Sequence, residues 1–285
     1  MLLQDFLPDT ALRFFVKCYR IIHFSFDNVQ TIPFKAYPPK PEQTLHFFLK
    51  NPFIMETAAG GKINAPSILF TSQQTSLVKH FTTSDFLDVQ IVFQPSAVFL
   101  LTGIPARELT NNFFEATDIF SIEIRSTFSQ LQEATNYVEL IKIAEIFTHY
   151  LVLNARKEVQ LIDTACEQMA HRHGNISVDW LAKESCYCTK QFQRKFNERV
   201  GLNPKTYARI LRLNRAYNMR NRFPDKSWSS IAAECGYFDY QHLSKDYIEF
   251  TALTPSALHL LESNSPESIL GLTKCLYRKR YITSF

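Results

Sequence analysis

The chain has 285 residues, a formal net charge of +4 and 46% hydrophobic residues. This length suits two domains that each bury a core of their own. The longest stretch without charge, residues 89–106, contains Gln90, Gln94 and two prolines. That composition argues against a membrane-spanning segment.

The six cysteines, at positions 18, 166, 186, 188, 235 and 275, show no paired spacing. Cys186 and Cys188 form a Cys-x-Cys pair, but no second pair of ligands follows it. We therefore expect reduced thiols in a cytoplasmic protein without metal or cofactor, and a redox role of this pair is the weaker alternative. The start of the chain lacks a basic segment followed by an apolar one, so no signal peptide is expected.

Short apolar runs separated by prolines dominate the first half of the chain. Leu45–Leu49, Ser67–Phe70 and Val89–Phe93 are typical of strands and predict a small sheet or barrel. From about Thr127 to Lys157, apolar residues recur at helical spacing and predict one amphipathic helix. Part of its apolar stripe is expected to pack on the barrel, and the remainder to form a helical dimer interface.

The second half contains a helix-turn-helix pattern between Ile176 and Phe196. Leu181 and Ala182 are core positions of a short first helix, and a second helix begins near Thr189 after a break. The small side chain of Ala182 lets the two helices cross closely. We therefore predict that the second helix can enter the major groove of DNA.

A second copy of this pattern starts at Trp228, about fifty residues after the first. Its first helix carries Ala232, and Gly236 at the turn supplies the positive φ that a sharp bend requires. Leu243 and Tyr247 lie on the inner face of the helix that follows. The chain is therefore predicted to present two helix-turn-helix units to DNA. Each unit is called a reading head below.

Each copy is followed by a similar motif, Gly-Leu-Asn-Pro after the first and Ala-Leu-Thr-Pro after the second. Asn203 and Thr254 are good N-caps, with Pro204 and Pro255 at the first helical position. Helical spacing of apolar residues continues to about Arg220, which predicts one linker helix of roughly 25 Å at 1.5 Å per residue. A rod of that length holds two heads about one DNA turn apart.

The basic charge is concentrated in the same region. Between Lys183 and Arg222 there are eleven Lys or Arg against two acids, Glu184 and Glu198, whereas residues 1–154 carry eleven bases and fourteen acids. A protein that binds duplex DNA needs positively charged side chains on the surface that contacts the phosphates. A solvated basic helix is the alternative, and the internal repeat in the same segment argues against it.

From about Asp163 to Leu261 the chain resembles the AraC/XylS family of bacterial transcription regulators. The residues that carry the resemblance are Leu181-Ala182, Phe192, Arg194, Phe196, Gly201, Pro204, Tyr207, Arg212 and Ala216, then Ile231-Ala232, Gly236-Tyr237, Leu243, Lys245, Tyr247 and Pro255. Four residues depart from the family pattern: Cys186 and Ala252 replace Gly, Cys188 replaces a capping Ser, and Lys245 replaces Arg. These departures leave the fold intact and bear on base preference.

The first half is similar to the sensor-like N-terminal domain of one branch of this family. The similar segments are Phe6-Leu7-Pro8, Leu45-His46-Phe47, Gln90–Pro95 and the run from Phe99 to Pro105. The resemblance implies an architecture and identifies no ligand-binding residue.

Helix periodicity selects the side chains that point away from the core in each second helix. They are Lys190, Gln193, Arg194 and Asn197 in the first copy, and Gln241, His242 and Lys245 in the second. The resemblance implies that the positions of Lys190, Gln193 and Arg194 face the groove. Arg can pair with guanine and Gln with adenine, but Arg194 and Lys245 fit phosphate contacts equally well. The arginines of the linker helix are not assigned to DNA.

These observations predict an α+β protein of two domains. Residues 1–157 form a β-rich, barrel-like sensor or dimerisation domain with flanking helices, residues 158–262 an all-α double helix-turn-helix domain, and residues 263–285 a tail. The predicted function is that of a sequence-specific transcription factor which reads two adjacent major-groove segments. The alternative is an architectural protein that bends DNA with little sequence preference and no ligand.

The expected partners are double-stranded operator DNA, a second copy of the chain, RNA polymerase and a small-molecule effector of the first half, with no membrane. The protein is expected to associate with the nucleoid while bound to DNA. Catalysis is not expected, because His23, His46, His80 and His149 are scattered without a His-x-His pair for a metal. The seven glycines form no Gly-x-Ser-x-Gly turn either.

Overall fold

The computed structural model describes residues 2–26, 32–57 and 60–271. In the described residues, strands, four α-helices and two short 3-10 helices make up the first half, and α-helices alone make up the second. Among the described residues, no helix is both long and apolar enough to cross a membrane.

Ten strands in the described residues form two antiparallel sheets. They are β1 (Leu2–Phe6), β2 (Val16–Ser25), β3 (Lys35–Tyr37), β4 (Gln43–Phe48), β5 (Ile54–Glu56), β6 (Lys62–Asn64), β7 (Ile68–Thr71), β8 (Val78–Phe81), β9 (Asp85–Phe93) and β10 (Phe113–Glu115). The larger sheet has the order β1-β2-β9-β4-β7-β10, and the smaller has the order β3-β8-β5-β6. The predicted β-rich first half and its three strands are confirmed, but the sheets do not close into a barrel.

The larger sheet is covered on both faces, because side chains alternate along each strand. On β9, Val89, Ile91 and Phe93 belong to a core shared with helices. Phe86 and Asp88 point to the opposite face, toward the smaller sheet. Both faces are thus buried, which accounts for the nearly continuous burial along β9.

Helices α1 (Ala97–Thr102), α2 (Ala106–Leu109), α3 (Glu123–Glu133) and α4 (Tyr137–Leu153) follow the last long strand. The prediction of one helix over residues 127–157 was wrong. The chain is extended at Ala134, and Asn136 caps α4 by accepting a hydrogen bond from the backbone N–H of Glu139 at 3.0 Å. Because Asn and Glu stabilise a new helix start, two helices form where periodicity alone indicates one.

The apolar stripe on these two helices is partly buried against the sheet and partly exposed. Leu131, Ala144 and Phe147 pack in the core of the larger sheet. Val138 and Ile146 are exposed. The part of the stripe assigned to a dimer interface therefore stays a prediction.

The second half is helical throughout its described residues. Its helices are α5 (Leu161–His171), α6 (Val178–Glu184), α7 (Thr189–Val200), α8 (Pro204–Arg222), α9 (Trp228–Glu234), α10 (Tyr240–Thr251), α11 (Pro255–Ser263) and α12 (Pro266–Ile269). Helices α5 to α11 share one core, which also includes Ala36 of β3. In the predicted tail, Leu270 packs against the core between the sheets, and residues 272–285 lie outside the described residues.

Candidate nucleic-acid interface

The first helix-turn-helix unit consists of α6 and α7, and α7 begins at Thr189, as the sequence predicts. Ser177 caps α6 by accepting a hydrogen bond from the backbone N–H of Trp180 at 3.3 Å. Leu181 and Ala182 are buried beneath α7. Cys188 occupies the N-cap of α7 without a side-chain hydrogen bond, so this departure from the family pattern leaves the start of the first recognition helix without a side-chain cap.

The second unit consists of α9 and α10 and repeats the first. Ser227 caps α9, and Asp239 caps α10 by accepting a hydrogen bond from the backbone N–H of His242 at 2.8 Å. Gly236 has a φ of +80°, as predicted. Leu243 and Tyr247 are buried, so α10 turns its inner face to the core and its polar face outward.

The turns of the two units carry different residues at the position with a positive φ. Cys186 adopts the same left-handed conformation as Gly236, with a φ of +59°. A side chain there is strained, and Cys186 is exposed, so it gains little packing in return. Cys186→Gly is expected to raise the free energy of unfolding by about 1 kcal/mol, after allowance for the greater freedom of Gly in the unfolded chain.

Urea unfolding of the full chain measures this effect. Cys186→Ala is the matched control, because it removes the thiol and keeps the strained side chain, and it should stay within about 0.5 kcal/mol of the parent. A stabilisation by Ala as large as that by Gly would show that the thiol, rather than backbone strain, is responsible.

The predicted outward residues of α7 lie on its accessible face. Lys190, Gln193 and Arg194 are exposed, and Asn197 is half-buried. Lys190, Gln193 and Arg194 make no ion pair or side-chain hydrogen bond with the described part of the chain. These side chains are therefore available to a ligand outside the protein.

The predicted residues of α10, namely Gln241, His242 and Lys245, are likewise exposed. His242 is partly engaged, because its Nδ1 lies 2.8 Å from Oδ1 of Asp239. The backbone N–H and the ring of His242 hold the pKa of the Asp239 carboxyl below its usual range. His242 is thus fixed at the start of α10, whereas Gln241 and Lys245 extend freely.

Sequence analysis missed Phe238, which lies in the turn before α10. Its side chain is 90% exposed, and its ring centroid lies 5.8 Å from that of His242. A residue in a turn belongs to neither helix, so periodicity carries no signal for it. An exposed aromatic ring beside the second head is available for apolar contact with a partner.

The linker helix α8 is fixed to the second head by ion pairs. Arg209 contacts Asp246 at 2.8 Å and Glu249 at 2.5 Å, both on α10. Hydrogen bonding to Glu249, together with Asp246, raises the pKa of Arg209. Arg220 donates a hydrogen bond to the backbone carbonyl of Lys226 at 2.7 Å. Arg209 thus joins α8 to α10, and Arg220 joins α8 to the loop before α9.

The first half of the chain contacts the end of the first recognition helix. Thr110 donates a hydrogen bond from its hydroxyl to the carbonyl of Gly201, the residue that ends α7, at 2.8 Å. Arg199 of α7 lies over the ring of Phe99 of α1, 4.9 Å from its centroid. The first head therefore rests directly on helices of the first half.

A cavity of about 160 Å³ lies between the two sheets, and Asn214, Tyr217 and Asn218 of α8 are among the residues that line it. Sequence analysis identified no ligand-binding residue in this half. The signal was present in β9, where Asp88 and Gln90 are buried polar residues in a largely apolar strand. The cavity thus connects the interior of the first half with the linker helix of the second.

Comparison with known proteins identifies the second half. A family described as a helix-turn-helix domain matches residues 181–259. The HTH-type transcriptional regulator ArgR of Pseudomonas aeruginosa is 32% identical over 80 residues, which cover 28% of this chain and 24% of that protein. The match therefore spans about a quarter of that regulator's length.

Two solved structures are similar over most of the chain. ToxT from Vibrio cholerae, with an unsaturated fatty acid bound, has 13% identity and a TM-score of 0.45 over 85% of this chain and 94% of that one. The AraC-like transcriptional activator CuxR has 14% identity and a TM-score of 0.29 over 76% of this chain and 87% of that one. The matched region runs from α6 to α11, across both units and the linker helix between them, so we conclude that residues 181–259 form a helix-turn-helix domain of the kind that this family describes.

Proposed function

We propose that the protein is a sequence-specific transcription regulator that inserts α7 and α10 into adjacent segments of the major groove. One observation carries this proposal: two helices of like construction present exposed polar residues and are joined by one continuous helix. Base edges in the major groove offer hydrogen-bonding patterns that such side chains can read. The concentration of basic residues in residues 183–222 supplies the attraction to phosphates.

The first half is proposed to control this activity through a small-molecule effector in the cavity between the sheets. Support comes from its position, because residues of α8 in the DNA-binding half line part of the cavity. We further propose that the protein acts as a homodimer in the cytoplasm, on a repeated operator and in contact with RNA polymerase. The functional units are residues 1–157, 158–262 and 263–285.

The experiment that tests base reading replaces Arg194 by Ala. We expect affinity for the selected operator to fall about tenfold or more, with relaxed preference at the contacted base, since a bidentate Arg–guanine contact discriminates by about 1–3 kcal/mol. Binding is measured against the operator and single-base variants at several salt concentrations. Arg125→Ala on α3 is the matched control, because Arg125 is an exposed arginine in the first half.

A phosphate contact at Arg194 gives a different result. In that case the variant loses affinity equally on every sequence, and the dependence of log affinity on log salt becomes shallower by about one. Such a result would contradict the base-reading role of Arg194 and leave it a positioning residue on the backbone.

The second candidate function is that of an architectural protein that bends DNA. The exposure of Phe238 favours it, because apolar side chains can wedge between base steps. The polar residues on both recognition helices favour sequence reading instead. Selection from random DNA separates the two functions, since an architectural protein enriches no motif.

A further inference from the structure

The cavity between the sheets has an aromatic wall and a polar wall. On the aromatic side, the ring of Phe53 stacks on His80 with centroids 4.0 Å apart, and Phe86 lies 6.2 Å from Phe53. Asp88 and His46 line the polar side. A pocket with an apolar body and a few convergent polar groups is the usual form of a small-molecule site.

Asp88 is the most unusual group in the wall. Its side chain is fully buried, at 0% exposure. Oδ2 accepts hydrogen bonds from Nδ1 of His46 at 2.9 Å and from Nε2 of Gln90 at 2.6 Å. No donor in the described part of the chain reaches Oδ1. A buried carboxylate oxygen without a donor is costly, and because Asp88 lines the cavity, a molecule bound there can donate a hydrogen bond to this atom.

The charge on Asp88 also lacks a permanently cationic partner among the described residues. The basic side chains of the wall have other contacts: Arg20 pairs with Asp5 and Glu42, Lys35 with Glu262 and Glu267, and Lys40 lies over the ring of Tyr37. Burial lowers the pKa of His80 well below its usual range, so its imidazole is neutral. A positive charge beside Asp88 would therefore be favoured.

The size of the cavity limits the ligand to a small molecule. A cavity of about 150 Å³ lined by apolar groups holds one benzene ring, and this one has about 160 Å³. Aromatic faces attract cations as well as flat rings. The walls thus suit one ring or a compact aliphatic group that carries a charged donor.

We infer that the cavity binds a small organic cation whose ammonium N–H donates to Oδ1 of Asp88 while its apolar body packs against Phe53 and Phe86. This inference rests on the proposed function, in which an effector occupies the first half, and it names the chemical class of that effector. No residue of the DNA-binding heads takes part in it.

The test compares three probes that share one ring and differ in the terminal group: phenethylamine, 2-phenylethanol and 3-phenylpropionate. Calorimetric titration of the full chain should show millimolar or tighter binding of the amine, and binding about tenfold or more weaker for the alcohol and the acid. An acid or alcohol that binds as tightly as the amine would overturn the inference. So would the absence of amine binding at about 10 mM.

Two variants on β9 localise the binding site. Asp88→Asn keeps the shape of the side chain and removes its charge, and it should weaken amine binding about tenfold or more. Asp85→Asn is the control, because Asp85 lies on the same strand, is half-exposed and pairs with Lys50 at 2.9 Å. Equal amine affinity in both variants would place the amine elsewhere and overturn the inference. If Asp88→Asn does not fold, the probe series on the parent chain decides.

Operator binding by the parent chain without any probe is measured separately. Specific operator binding without amine binding refutes the cation site alone. Amine binding without sequence preference on DNA refutes the proposed function alone.

Discussion

Asp163→Asn is expected to lower the free energy of unfolding by about 3 kcal/mol, because it leaves the buried guanidinium of Arg199 with only the longer, partly exposed contact to Glu198 at 3.6 Å as a counter-charge. Asp163 is 1% exposed and Arg199 is 3% exposed. Nε of Arg199 donates to Oδ1 of Asp163 at 2.7 Å, and the backbone N–H of Gln160 donates to Oδ2 at 2.8 Å. Asn can still accept the hydrogen bond from the backbone N–H of Gln160. The loss of stability therefore measures the ion pair between α5 and α7.

The stability of Arg199→Met is the informative comparison, because this substitution leaves Asp163 without its partner and a carboxyl group can become neutral. Arg stays charged at any pH that proteins tolerate, whereas the Asp163 carboxyl can take up a proton. Burial already raises the pKa of Asp163, and Arg199 opposes that rise. We therefore expect Arg199→Met to cost less than Asp163→Asn in acid solution.

The cost of Arg199→Met should also depend on pH. A carboxyl whose pKa is raised in the folded state contributes stability that is present below its unfolded pKa and is lost as the pH rises through the folded value. The variant should therefore be less stable, relative to the parent, at about pH 8 than at about pH 5. Urea unfolding at both pH values measures this, and a cost that grows as the pH falls would contradict the assignment of a buried, partnered Asp163.

Removal of either proposed reading head is expected to weaken binding to the two-part operator about 100-fold or more. Gln193→Ala with Arg194→Ala removes the first head, and Gln241→Ala with Lys245→Ala removes the second. Each pair takes away two groups that are worth about 1–3 kcal/mol apiece when they read bases. Because α8 carries both heads on one helix, loss of one head also removes the advantage of joint binding.

Fluorescence anisotropy with labelled operator DNA measures these affinities. The control is the double variant Arg125→Ala with Gln132→Ala, since both residues are exposed on α3 in the first half, and its operator affinity should equal that of the parent. Unchanged affinity after removal of one head would contradict joint reading and assign all specificity to the other head.

The helix-turn-helix units could be predicted from sequence because their signals are local. Ser177 and Ser227 cap the first helices, and Gly236 takes a positive φ at the turn. The linker helix follows from Asn203 and Pro204, which start it where the internal repeat indicates. Exposure of the outward residues follows from the same periodicity, whereas contact with DNA stays a prediction.

The features that sequence analysis missed depend on contacts between distant segments. Strand order decides which side chains share a face, so Asp88 meets His46 only because β9 lies between β2 and β4. The break between α3 and α4 depends on Asn136, whose capping bond outweighs the continuing apolar period. Phe238 is exposed by the geometry of a turn, about which the apolar pattern says nothing.

The most direct test of base reading by both α7 and α10 is selection of bound fragments from a random DNA pool. The selection is made with the full chain and with each double variant that lacks one reading head. The parent should enrich a motif of two sub-sites about one helical turn apart, and each variant should enrich only the sub-site of its remaining head. Enrichment of no motif by the parent, with affinity set by salt alone, would contradict sequence reading by α7 and α10.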